Sequence, residues 1–166
     1  MTKVERRIIA AGDQFAVECA VRTDLSSPVS DFLDTVQVGT ADHVEDLEPD
    51  EQIEWFDWFT AACEALADNG TLPHRQDHNQ LLDGIWEIKH GVLRLSFFDT
   101  DGTGEYEPLI DYDSYSRFTT RPWPEDFCYY LRLTTAFEKT TPKTPPAEIE
   151  LAKTVRTEDL EHDRQP

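Results

Sequence analysis

Apolar and polar positions alternate in distinct rhythms along the chain, and each change of rhythm marks an element. Residues 14–21, QFAVECAV, are apolar and aromatic without helical spacing, which predicts a first strand from Phe15 to Val21. In SSPVSDFLDTV the spacing changes: Ser27 stands as N-cap, Pro28 opens the first turn, and Val29, Phe32, Leu33 and Val36 share one helical face. Gly39 ends that helix. A longer helix is predicted from Pro49, with Ile53, Phe56, Phe59, Cys63 and Leu66 three and four apart, Asp50 and Glu51 at its positive end and Gly70 as its stop. Trp55 and Trp58 flank this stripe and read as helix packing rather than a ligand box.

Branched and aromatic residues then take over. LLDGIWEIKHGVLRLSFF predicts a hairpin, with strands Ile85 to Lys89 and Val92 to Phe98 turned through His90 and Gly91. The next strand, FCYYLRLTTAF, comes only after residues 99–126, a stretch far longer than the two to five residues of an ordinary hairpin loop. That stretch reads as an inserted flap. Thr144 is expected to cap a last helix opened by Pro145 and Pro146, with Ile149, Ala152 and Val155 as its stripe, and residues 158–166 are expected to fray. The expectation is one α+β domain over 1–166. Its order is a strand, two helices, a three-stranded antiparallel meander carrying the flap, and a terminal helix, with the helices on one face of the sheet.

Length and composition support a packed core: 166 residues, 39% hydrophobic, with four Trp and nine Phe. No run approaches the length needed to cross a bilayer and the first residues lack a signal-peptide pattern, so a cytosolic protein without membrane partners is expected. Cys19, Cys63 and Cys128 are too widely spaced for a CxxC site or a disulfide framework and read as buried thiols.

Charge changes the picture. The net charge is −19, and between Arg22 and Arg75 there is no Lys or Arg against 13 acids. A second acidic block, Asp99 to Asp126, holds eight acids against Arg117 and Arg121. Such a field repels polyanions at long range, and by itself it also fits a solubilising or halotolerant surface. Only five Lys are present, and three of them, Lys139, Lys143 and Lys153, fall in one short run.

Generic motifs carry little chemistry. DTDGTGE, with Asp99 and Asp101, resembles a calcium loop but has Ile110 where the bidentate Glu belongs, and it reads as a turn. His74 and His78 are four apart beside Pro73, which predicts a loop rather than a ligand-bearing helix. No metal or cofactor is expected.

Two segments together are more specific. LLDGIWEIKHGVLRLSFF and LRLTTAFEKTTPKTPPAEIELAK resemble the phage-derived Gp49-like, HigB-type branch of the RelE/ParE toxin superfamily. Leu82, Gly84, Glu87 and Arg94 match its hairpin, with Lys89 where the family has Arg. Phe137, Lys139, Thr141, Lys143, Thr144, Pro145, Glu148, Ile149 and Ala152 match its closing motif in register, and Thr140 replaces a second Lys. SSPVSDFLD and ALADNGTLP are similar to its first helix and the end of its second, so the resemblance spans about 15–157 without the flap.

The resemblance implies a RelE-like fold, ribosome-dependent cleavage of mRNA, and restraint by a helix-turn-helix antitoxin. In-line attack of a ribose 2′-hydroxyl on its phosphate needs a proton acceptor, a donor and cations around the phosphorane, and no metal. Lys89, Arg94 and Lys139 are the candidate catalytic residues, with His90 a candidate proton shuttle whose position at the turn more simply makes it an exposed turn residue. Arg132 and Lys143 are candidates for RNA backbone contacts, and Tyr129 or Tyr130 for stacking on a base or packing in the sheet. Family members are generally basic, whereas this chain is acidic. The alternative is therefore a catalytically inactive toxin-fold protein whose acidic surface binds a basic host protein or mimics nucleic acid.

Overall fold

A computed structural model describes residues 4–42, 44, 47–72, 78–106, 127–139 and 142–165. The fold is α+β, as the sequence predicts. Its sheet has six strands, β1 (Ile8–Ala11), β2 (Ala16–Cys19), β3 (His78–Gln80), β4 (Trp86–His90), β5 (Leu93–Thr100) and β6 (Tyr130–Glu138), in the order β1-β2-β6-β5-β4-β3. Every neighbouring pair is antiparallel except β2 with β6, which is parallel. The expected meander is β4-β5-β6. Strands β1 and β3 were not expected; at four and three residues each is too short to establish a period, and both lie at the sheet edges.

Helices occupy both faces rather than one. Helices α1 (Pro28–Gln37) and α2 (Pro49–Asn69) pack on the face formed by Val17, Cys19, Leu131, Leu133, Leu95 and Phe97, whereas α3 (Pro146–Arg164) sets Ala152, Val155 and Leu160 against Ile85 and Phe98. Alternation along the strands makes both contacts possible: Phe97 faces α1 and α2, and Phe98 faces α3. Phe59, Leu33, Leu66 and Leu95 are completely buried, each contributing about 1.5–3 kcal/mol by leaving water.

Helix α1 buries Val29, Phe32, Leu33 and Val36, the predicted stripe. In α2 the stripe is rotated: Gln52, Trp55, Phe59, Ala62, Cys63, Leu66 and Ala67 are buried, while Ile53 is 37% exposed. Trp55 decides the rotation, stacking on Phe59 at 5.1 Å and meeting Phe32 edge-on at 5.9 Å. Gly70 ends α2 in the left-handed conformation that only glycine adopts freely.

The terminal helix departs most from expectation. Pro145, not Thr144, occupies the N-cap position, and residues 158–164 are helical and pinned rather than frayed. The reason is an ion network. Asp159 accepts from Arg6 Nε (2.8 Å), Arg132 Nη1 (2.9 Å) and the Val21 amide (2.8 Å), Asp163 pairs with Arg132, and Glu158 pairs with Arg22 (2.8 Å). No helix among the described residues is long and apolar enough to cross a membrane.

Candidate functional site

The β4–β5 hairpin turns through Gly91 and Val92, with Gly91 at a φ of +60°. The turn lies one residue later than predicted, and this makes Lys89 the direct cross-strand partner of Arg94. Arg94 in turn pairs with Phe137 on β6, and the Lys139 amide continues that ladder by donating to Val92 O at 2.8 Å. Side chains two apart on a strand share a face, so Lys89, Arg94 and Lys139 lie on the α3 side of the sheet at its hairpin end. Directly opposed residues hold their Cβ atoms about 4.5–5.5 Å apart, close enough for one anion to reach both. Among the described residues, Lys89 and Lys139 enter no ion pair.

Beneath these cations lies Glu87, 0% exposed and two residues before Lys89 on the same face. Its carboxylate sits 3.9 Å from Arg94 Nε and accepts a 3.3 Å hydrogen bond from the Thr144 hydroxyl. Thr144 thus holds the loop before α3, with Lys143 next to it, against the hairpin instead of capping the helix. Arg94 spends Nη1 on the Gly91 and Leu93 carbonyls (2.7 and 3.0 Å), and its Nε is buried without a hydrogen-bond partner. Burial pushes the Arg94 pKa down from its usual value, and the Glu87 charge works the other way. A buried donor left unpaired costs about 1–3 kcal/mol, and among the described residues Arg94 Nε is the buried side-chain atom in that position.

The remaining candidates lie elsewhere. His90 pairs with Leu93, which faces the opposite core, so its ring is on the α2 side. There it stacks on Trp58 with centroids 3.8 Å apart, and its carbonyl accepts from Trp55 Nε1 (3.3 Å). His90 therefore fixes the hairpin tip to α2 and is not beside the cations, because neighbouring residues on a strand face opposite ways. Tyr130 pairs with Thr100, six residues and about 20 Å along β5 from Arg94. Tyr129 donates its hydroxyl to Gly12 O at 3.1 Å.

Arg132 is only 3% exposed and donates to Glu18 (2.7 Å), Asp159 (2.9 Å) and Asp163. Burial alone would lower its pKa, but Asp159, Asp163 and Glu18 outweigh that and raise it. With Nε and Nη1 held by three carboxylates and almost no exposed surface, Arg132 is part of the structural ion network rather than a surface cation. Its sequence signal misleads because the partners come from β2 and from the end of α3, far away in the chain.

The other expected sites divide similarly. Asp99 is buried and accepts from the Cys128 amide (2.9 Å), while Asp101 closes a turn through Thr103, so the DTDGTGE stretch is a turn. Burial raises the Asp99 pKa above the usual carboxylate range. Among the described residues, no three His, Cys, Asp or Glu are grouped to hold a metal. His74, Thr140, Thr141 and positions 107–126 of the flap lie outside the described residues. Both attachments of the flap, Thr100 to Tyr106 and Phe127 onward, are at the sheet end away from the hairpin tip.

No protein-family model matches the chain, and no curated protein matches it.

Proposed function

We propose that the protein is a ribosome-dependent endoribonuclease of the RelE/HigB type, a toxin restrained by a helix-turn-helix antitoxin, acting on mRNA by metal-independent attack of a 2′-hydroxyl on the adjacent phosphate. The observation that carries this reading is the gathering of Lys89, Arg94 and Lys139 on one face at one end of the sheet, in a chain otherwise poor in cations. The resemblance of the hairpin and the closing motif to that toxin branch supports it. In this reading Arg94 and Lys139 neutralise the charge that develops on the phosphorane oxygens, and Lys89 transfers a proton at the attacking or leaving oxygen. Lys143, held close by the contact of Thr144 with Glu87, grips a neighbouring phosphate. Arg132, His90 and Tyr130 take no part.

One set of observations favours the second reading, a toxin-fold protein without catalysis. Arg94 bonds to its own turn, Arg132 is buried against three carboxylates, and the net charge of −19 opposes approach to RNA. Induced expression in a heterologous cell separates the two. Growth arrest that disappears with Lys89→Ala and with Lys139→Ala is the expected result. Arrest that survives both changes, or no arrest by the unmodified protein, rejects the nuclease reading in favour of the second.

A further inference from the structure

Strand β6 outruns its neighbour. Strand β2 pairs with it only from Ala16 opposite Tyr130 to Cys19 opposite Leu133, and the last bond of that ladder is from the Ala20 amide to Leu133 O at 2.9 Å. Beyond Leu133 the chain after β2 leaves the sheet, and the Val21 amide turns to Asp159. From Thr135 to Glu138, β6 is paired on its β5 side alone.

The direction of the free groups follows from the ladder. In an antiparallel pair, residues alternate between those that exchange both backbone bonds with the partner and those whose N–H and C=O point the other way. The Lys139 amide bonds to Val92 O, so Phe137 with Arg94 and Thr135 with Ser96 are the bonded pairs. Ala136, opposite Leu95, therefore presents its N–H and C=O to the open side. Among the described residues nothing takes these two groups up.

That open side is a walled groove of about 280 Å³. Its floor is the edge of β6 at Thr135 and Ala136. One wall is α1, with Phe32 and Asp31, and the other is Leu151 of α3, a leucine left 42% exposed. No Lys or Arg lines it, and α1 carries two acids and no base.

We propose that this groove receives an extended, basic polypeptide segment as an added strand beside the end of β6. Main-chain bonds to Ala136 give the attachment, an apolar side chain lies between Phe32 and Leu151, and a Lys or Arg pairs with Asp31. The slot admits one strand because a helix stands on each side. The preference for a basic segment comes from charge complementarity, with Asp31 at the rim and a net charge of −19 around it. The site is independent of the Lys89, Arg94 and Lys139 cluster.

Amide hydrogen exchange on the full chain tests this, with a blocked peptide of alternating valine and lysine as probe and one of alternating valine and glutamate as control. In the free protein, the Ala136 amide should exchange much faster than those of Thr135 and Phe137. The lysine peptide should slow it selectively, and the glutamate peptide should not. Ala136→Pro removes an N–H that serves no ladder, so the fold should persist while peptide affinity falls by about tenfold or more. Leu151→Asp, on an exposed helix position, should weaken binding in the same direction. The proposal is overturned if Ala136 is protected without peptide, if protection grows with protein concentration alone, or if the lysine peptide binds Ala136→Pro and Leu151→Asp as well as the parent.

Discussion

At one end of the sheet face that α3 covers, Arg132 is enclosed by Glu18, Asp159 and Asp163; at the other, Arg94 has one carboxylate 3.9 Å away and an unpaired Nε, with Lys89 and Lys139 beside it. The two arginines share a face, a fold and a residue type. What differs is the supply of anions. Three acids converge on Arg132 and Arg6 because β2, the N-terminal segment and the last turns of α3 meet there, and the resulting network closes the structure. At the hairpin end the only buried acid among the described residues is Glu87, which also accepts from Thr144. Carboxylates in excess make an arginine structural, and carboxylates in deficit leave cations available to a ligand.

The comparison breaks most visibly at the saturated end. Asp159→Ala removes the more deeply buried of the two carboxylates that Arg6 and Arg132 share, Asp163 being the other, so chemical denaturation should record a loss of about 3–5 kcal/mol, as for other broken buried pairs. Arg94→Met should cost less, about 1–3 kcal/mol, because it strands the Glu87 carboxylate but also removes an unsatisfied donor. Lys89→Ala and Lys139→Ala should stay within about 0.5 kcal/mol, the usual range for a surface change that breaks no pair. Equal destabilisation by Asp159→Ala and Lys139→Ala would erase the distinction between the two ends.

A chemical probe sharpens it further. Cys128 is partly exposed, yet burial of its thiol, with the Asp99 charge adding, pushes its pKa up to about 11. The thiolate is the nucleophile, so alkylation by iodoacetamide should be slow at pH 8 and accelerate toward pH 11. Asp99→Asn removes the neighbouring charge and should bring that rise to lower pH. The smallest effect is that of salt. The mutual repulsion of surface acids is screened by added salt, so the melting temperature should rise between low and physiological ionic strength.

Much of this architecture was legible because strong periods were present. The α1 stripe, the start of α2 at Pro49 and the hairpin strands follow from spacing that few alternatives share. The tail was misread because Glu158, Asp159 and Asp163 look like a solvated charged end, and only their distant partners Arg22, Arg6 and Arg132 tie them down, with Asp159 fully buried. Ile53 gave way to Trp55 because burying a larger ring outweighs a tidier stripe. That Lys89 and Arg94 share a face was left open by the sequence, because the position of the turn sets the register; the observed pairing brings the two together and puts His90 on the opposite face. The separation of Arg132 from that group was not visible, since it depends on a parallel crossover that pairs β2 with β6.

The most direct test is cleavage of ribosome-bound mRNA by the purified protein in EDTA, read by the ends it leaves. The account predicts 2′,3′-cyclic phosphate products, with rates falling by about 10²–10⁴-fold in Lys89→Ala and in Lys139→Ala while both variants stay folded. Cleavage that needs a divalent metal, or that proceeds unchanged in both variants, would contradict it.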